Sequence, residues 1–157
     1  MITISVCMIV KDEEAVLKRC LSCVKQFADE IIIVDTGSMD STKEIAKRYT
    51  EKIYDYVWND NFSEARNFSF SKANMDYIFW LDADDVINKE DCENILCLKK
   101  ELHRDVDAVM MKYVVSVDEN NHPLSYFYRE RMVKRECNFN WIGIVHECLN
   151  INGNIVY

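Results

Sequence analysis

Three carboxylates fall within four residues at Asp82-Ala83-Asp84-Asp85, directly after the apolar run Tyr77-Ile78-Phe79-Trp80-Leu81. Side by side they repel one another, and next to an apolar strand they are partly desolvated, so leaving them unpaired is costly. A hard divalent cation offsets that cost: Mg²⁺ or Mn²⁺ characteristically takes one or two carboxylates together with substrate phosphates. Solvated loop acids are the other reading of the cluster. Two further apolar runs end in the same manner, one at Lys11-Asp12-Glu13-Glu14 and one at Asp35-Thr36-Gly37-Ser38. Turn and cap preferences account for either of these junctions alone, but not for the clustered acids.

Two pairs elsewhere have the residue types for chemistry. Arg66-Asn67 lies early in a predicted helix, where an exposed helix surface is the plain alternative. His146-Glu147 closes the apolar stretch Trp141-Ile142-Gly143-Ile144-Val145, where a charged group needs a reason. His146 is suited to complete a metal shell and Glu147 to act as a general base. On a regular strand their side chains point to opposite faces, and a strand-end pair at a sheet edge is the competing account. Lys11 either approaches a ligand from the first loop or is a solvated loop lysine. His103 and His122 fall in a helix end and a turn and carry no assigned role.

The elements that must position these groups alternate in period. Residues 3–10, 30–34, 52–58 and 76–81 read as strands, the second apolar on both faces as parallel strands are. Between and after them, helical spacing recurs over 16–27, 41–49 and 63–74, and over a last helix that Asn88 caps and that runs to Leu102. Ser41-Thr42-Lys43-Glu44 has the capping-box pattern. Such alternation predicts a mostly parallel sheet with helices on both faces. Ligands of open α/β sheets bind outside the carboxyl ends of the strands, so three strand ends deliver carboxylates to one rim. After Asp105 the pattern changes to long strand-like stretches at 107–117, 124–135 and 139–149, with turn signals at 118–123 and Asn152-Gly153. These predict antiparallel strands added to the parallel half. One α/β domain of residues 1–157 is expected, with a βα half at 1–104 and an antiparallel extension at 105–157.

Composition narrows the partners. With 19 Lys and Arg against 27 Asp and Glu, the net charge of −8 excludes nucleic acid or an anionic membrane surface as partner, because both need a basic footprint. Phosphates, if bound, must be attracted by something other than net charge. Only three glycines leave no room for a Gly-rich dinucleotide fingerprint. Seven cysteines, an odd number, read as reduced thiols in a cytoplasmic protein. Cys20-x-x-Cys23 has no second pair at zinc spacing and sits in a helical pattern, as buried small hydrophobes do. The apolar N-terminus is too short to span a membrane and lacks the basic start of a signal peptide, so no integral membrane segment is expected.

Four motifs in order then carry a resemblance: Ser5 to Glu14, Val34 to Thr42, Trp80 to Asp85 with its Asp-x-Asp, and the late Gly143-Ile144-Val145-His146-Glu147, with Phe62 to Asn67 between them. Together they resemble the family 2 glycosyltransferases, in a bacterial branch that includes peptide and cell-surface sugar transferases. The resemblance implies a GT-A fold and inverting transfer of a sugar from a nucleotide diphosphate, UDP by expectation, to an acceptor that is a peptide, lipid or glycan. It implies that Asp35 meets the base or ribose and that Asp82 faces the ribose or sugar. Val10, Lys11, Glu13, Arg66, Asn67 and Ala83 complete the nucleotide-binding set. Asp84, with His146, would hold Mn²⁺ or Mg²⁺, and Glu147 and Asp85 would be the catalytic acids. The chain departs from the family in having Asp12 where Asn is usual and Met39-Asp40-Ser41-Thr42 where Thr-Asp-Gly-Thr is usual. The family generally has further chain beyond the His-Glu segment for the acceptor, so a trimmed or incomplete acceptor site is expected. A nucleotidyltransferase and a nucleotide-sugar binding module without turnover are the competing functions. The former usually opens on a Gly-rich phosphate loop, which Val10 to Glu14 lacks.

Overall fold

In the computed structural model, which describes residues 1–120 and 122–157, the apolar runs pair into one seven-stranded sheet of order β3-β2-β1-β4-β6-β5-β9. Its parallel part is β1 (Ile4–Val10), β2 (Glu30–Asp35), β3 (Ile53–Asp55) and β4 (Tyr77–Trp80). Strand β1 alternates its side chains between two apolar clusters. Ile4, Val6, Met8 and Val10 face the layer holding α1 (Leu17–Val24), α2 (Thr42–Ala46) and α4 (Lys89–Glu101), whereas Cys7 faces the cluster around α3 (Phe62–Phe70). Both faces are therefore covered, as the continuous apolar character of β2 requires.

The helix starts follow their caps. Asn88 and Asp91 form a reciprocal capping box on α4, and Asn61 accepts from the Glu64 amide to start α3. The capping box expected at Ser41 does not form; instead Asp40 Oδ1 accepts from the Thr42 amide.

Antiparallel β6 (Pro123–Lys134) joins β4, β5 (Ala108–Val117) pairs with β6, and the short β9 (Ile155–Val156) returns parallel to β5. The third strand is shorter than expected, three residues long. The stretch 139–149 is not a long strand. Only β7 (Trp141–Ile142) and β8 (Cys148–Leu149) pair, as a separate antiparallel hairpin. Between them Gly143 has φ +98° and His146 φ +57°, left-handed conformations that a strand cannot continue through. Among the described residues no cysteine is disulfide-bonded, and no helix is long and apolar enough to cross a membrane.

Candidate active site

The strand order places β2 and β3 on one side of β1 and the parallel β4 on the other, so the order in which strands are added to the sheet reverses between β1 and β4. That switch point is where an open α/β sheet leaves a crevice at its carboxyl edge. A cleft of about 740 Å³ opens there. Its walls come from the end of β1 (Val10, Lys11, Glu13), the end of β4 (Asp82, Ala83, Asp84), helix α3 (Phe62, Arg66) and the loop of the β7–β8 hairpin (His146, Glu147). The acids and cations that sequence spacing singled out on four separate segments thus share one cavity.

Arg66 is the centre of its polar arrangement. The buried guanidinium packs against two indole rings that meet edge to face, 5.0 Å from Trp80 and 4.8 Å from Trp141. From there Nη2 donates to Asp82 Oδ1 at 2.8 Å and Nε donates to Glu147 Oε1 at 2.7 Å. Burial alone would lower its pKa, but the charges of Asp82 and Glu147 outweigh that and raise it. One cation thereby holds two carboxylates 65 residues apart in sequence at one side of the cleft.

The acids on the other side lack such a partner. Asp84 is exposed and, among the described residues, its carboxylate makes no ion pair. Its charge reaches Glu13, whose pKa is raised by burial first and then by Asp84, Asp40, Asp82 and Asp12. A negative potential from these acids therefore acts at Glu13. Among the described residues no three His, Cys, Asp or Glu side chains converge into a ready-made metal cage.

Three expected site residues do not line this cleft. Asp35 is buried at the end of β2, where Oδ1 accepts from the Gly37 and Ser38 amides and Oδ2 is buried without a hydrogen-bond partner. Asp85 turns away from the cleft. Its carboxylate accepts from Arg131 Nη1 at 2.9 Å and from the Asp82 amide at 3.0 Å, and it lines a second cavity of about 600 Å³ between α4 and β5–β6. Its tie to Arg131 and to the Asp82 amide braces the Asp82 turn. Asn67, expected to face a nucleotide beside Arg66, instead exchanges both hydrogen bonds with the Trp141 backbone, at 3.0 and 2.8 Å.

Sequence reasoning missed Trp58, Thr36 and Arg129, which line the same cleft. Arg129 stands on β6 with its guanidinium 4.9 Å from the Trp80 ring centre. No periodicity marks it; only the antiparallel pairing of β6 with β4 brings it to the site.

The family description Glycosyl transferase family 2 matches residues 5–151. The glycosyltransferase SunS of the SPbeta prophage in Bacillus subtilis is 32% identical over 148 residues, covering 92% of this chain and 34% of that protein. A TPR repeat-containing protein of Synechococcus elongatus is 47% identical over 85 residues, covering 54% of this chain and 21% of its own length. The chain thus spans about a third of the first of these curated relatives and about a fifth of the second. Among solved structures, S. aureus TarS residues 1–349 superpose with a TM-score of 0.66 at 20% identity, covering 89% of this chain and 50% of that one. Glucosyl-3-phosphoglycerate synthase from Mycobacterium tuberculosis, in complex with UDP, gives 0.62 at 21% identity, covering 86% and 57%. These likenesses show the same fold.

Proposed function

This chain belongs to glycosyl transferase family 2, and on that premise we propose that its rim cleft binds a nucleotide-diphosphate sugar, UDP-linked, and transfers the sugar to an acceptor with inversion. The observation that carries the reading is the cleft itself. Asp82 and Asp84 at the end of β4, Glu147 on the hairpin loop and Arg66 between Asp82 and Glu147 line one cavity at the sheet's switch point. Support also comes from fold neighbours: TarS is known in complex with UDP-GlcNAc, and the mycobacterial synthase with Mg²⁺ and UDP. Residues 1–104 then form the nucleotide-binding half, and 105–157 the extension that brings Glu147 to it.

The donor set fits a hard divalent ion. Asp84 is exposed and unpaired among the described residues, it adds to the potential that raises Glu13, and His146 lines the same cleft. With so few protein donors, Asp84 and His146 would hold Mg²⁺ or Mn²⁺ while diphosphate oxygens and water supply the rest. Bound there, the ion offsets charge on the departing diphosphate. The chain's own groups do the remainder. Asp35 sits just behind the cleft-lining Thr36 and keeps a buried Oδ2 acceptor without a partner, the group that a uridine N–H or ribose hydroxyl would have to reach. Lys11 and Arg129 bring positive charge to the cleft walls. Glu147, oriented by Arg66 Nε, takes the acceptor's proton as general base.

Calorimetry with UDP, with and without Mn²⁺, tests this. Metal-dependent binding is expected, weakened at least about tenfold by Asp84→Ala; binding that is absent, or indifferent to both metal and substitution, sinks the assignment. UDP release from a panel of UDP-sugars then separates a transferase from a binding module. Glu147→Gln should keep UDP affinity and lower transfer about 10²- to 10⁴-fold.

A further inference from the structure

The loop bearing Glu147 has little sheet of its own: β7 and β8 contribute two residues each, and Ile142 at the end of β7 and Ile144 and Val145 beyond it are exposed. What holds it is one face of α3. Phe62 N donates to the Ile144 carbonyl at 3.2 Å, and Ser63 Oγ donates to the Gly143 carbonyl. Arg66 Nε bonds Glu147, and the Asn67 amide pairs with Trp141 as a neighbouring strand would, Nδ2 donating to its carbonyl and Oδ1 accepting from its amide. Residues 62, 63, 66 and 67 recur one turn apart, so they lie along a single stripe. Trp141 itself is anchored in the core by edge contacts with Trp80 and Phe70. The left-handed turns at Gly143 and His146 thus run between points that α3 fixes at both ends.

We propose that Asn67 and Ser63 are positioning residues for Glu147: they set the path of the 141–147 segment and so the direction from which the Glu147 carboxylate enters the cleft. The proposal rests on Glu147 as the base. Neither residue has its functional contact with the cleft; each acts through the backbone it holds. Asn67→Asp is the sharpest probe, because it keeps the shape and the acceptor for the Trp141 amide while placing an oxygen against the Trp141 carbonyl.

The expected result has three parts. Exchange of the Trp141 and Phe62 amides, which the contacts between α3 and the loop protect, speeds up at least about tenfold while unfolding stays cooperative. The kcat for UDP-sugar turnover falls about 10- to 100-fold with donor KM changed less than about twofold. Added to Glu147→Gln, the substitution lowers kcat no further. Unchanged exchange, or an equal loss of kcat in the Glu147→Gln background, overturns the proposal. If Asn67→Asp does not fold, Ser63→Ala is put through the same measurements. If the parent protein turns over no UDP-sugar, the transferase reading fails on its own, and the exchange rates still decide whether α3 holds the loop.

Discussion

At the residue scale, Arg66 shows how much one side chain is asked to do. Its Nε and Nη2 bond different carboxylates, Glu147 and Asp82, while the guanidinium packs against two indole rings. An ammonium has neither the planar fork nor the flat faces for this. Arg66→Met leaves two acids facing each other without their cation and should cost about 3 kcal/mol, the low end for breaking a buried pair because Asp82 is 39% exposed; urea denaturation reads it. A smaller cost with unchanged UDP affinity would mean that the guanidinium only packs. Asp12 makes a related point. It has φ +54° and its Oδ1 accepts from the Met39 amide, a left-handed position that Asn and Asp tolerate best. The departure from Asn in this motif therefore keeps the backbone geometry and adds only a charge.

At the scale of elements, helices and strands with clear periodicity were legible, and the segment 139–149 was not. Trp141 to Val145 is a continuous apolar run, and such a run reads as a strand whenever its neighbours are unknown. Here the same residues serve two purposes, Trp141 as core and the rest as a cleft-side loop, and Gly143 supplies the reversal. Functional segments are where local pattern and final structure are expected to part. A second element-scale feature is the buried Glu30 at the start of β2, bonded by Ser5, Lys52 and Asn74. Burial alone would raise its carboxyl, but hydrogen bonds from Lys52, Ser5 and Asn74 hold it at about 2, below the ordinary 4.5. Since the folded value is depressed, its stabilisation is complete above about pH 4.5 and is lost as pH falls towards 2. Melting temperature measured across that window should fall steeply in the parent protein and less steeply in Glu30→Gln. Parallel curves would show that other acids govern the acid limb.

Across the whole molecule, the sheet's switch point and the β7–β8 hairpin meet at the tryptophan pair. Trp141 is 2% exposed and packs edge-on to Trp80 at 4.8 Å, joining the hairpin to the core and flooring Arg66. Trp141→Ala should therefore destabilise by about 3–5 kcal/mol. It should also release the hairpin, so thermal melting and proteolysis at 141–149 should change together. A protein that loses stability with the hairpin still protected would place the anchor elsewhere. The net charge of −8 takes on a position at this scale as well, with part of the acidic excess gathered on one rim as Glu13, Asp82 and Asp84.

By itself the sequence determined the order of strands and helices, the mostly parallel sheet, and which strand ends carry acids, because periodicity and capping act over a few residues and are written locally. It also marked Arg66, Asp82, Asp84 and Glu147 as chemically able. Only the tertiary structure decided which of them face one another. Arg66 and Glu147 are 81 positions apart, and their contact depends on how α3, β4 and the hairpin loop pack. Neighbours in sequence were likewise separated in space: Asp84 opens to the cleft while Asp85 pairs with Arg131, and Arg66 enters the site while Asn67 clamps Trp141. Adjacent side chains diverge by about 100° on a helix, and in a loop by whatever the backbone angles impose. Those loop angles are set by long-range packing that no short window of residues contains.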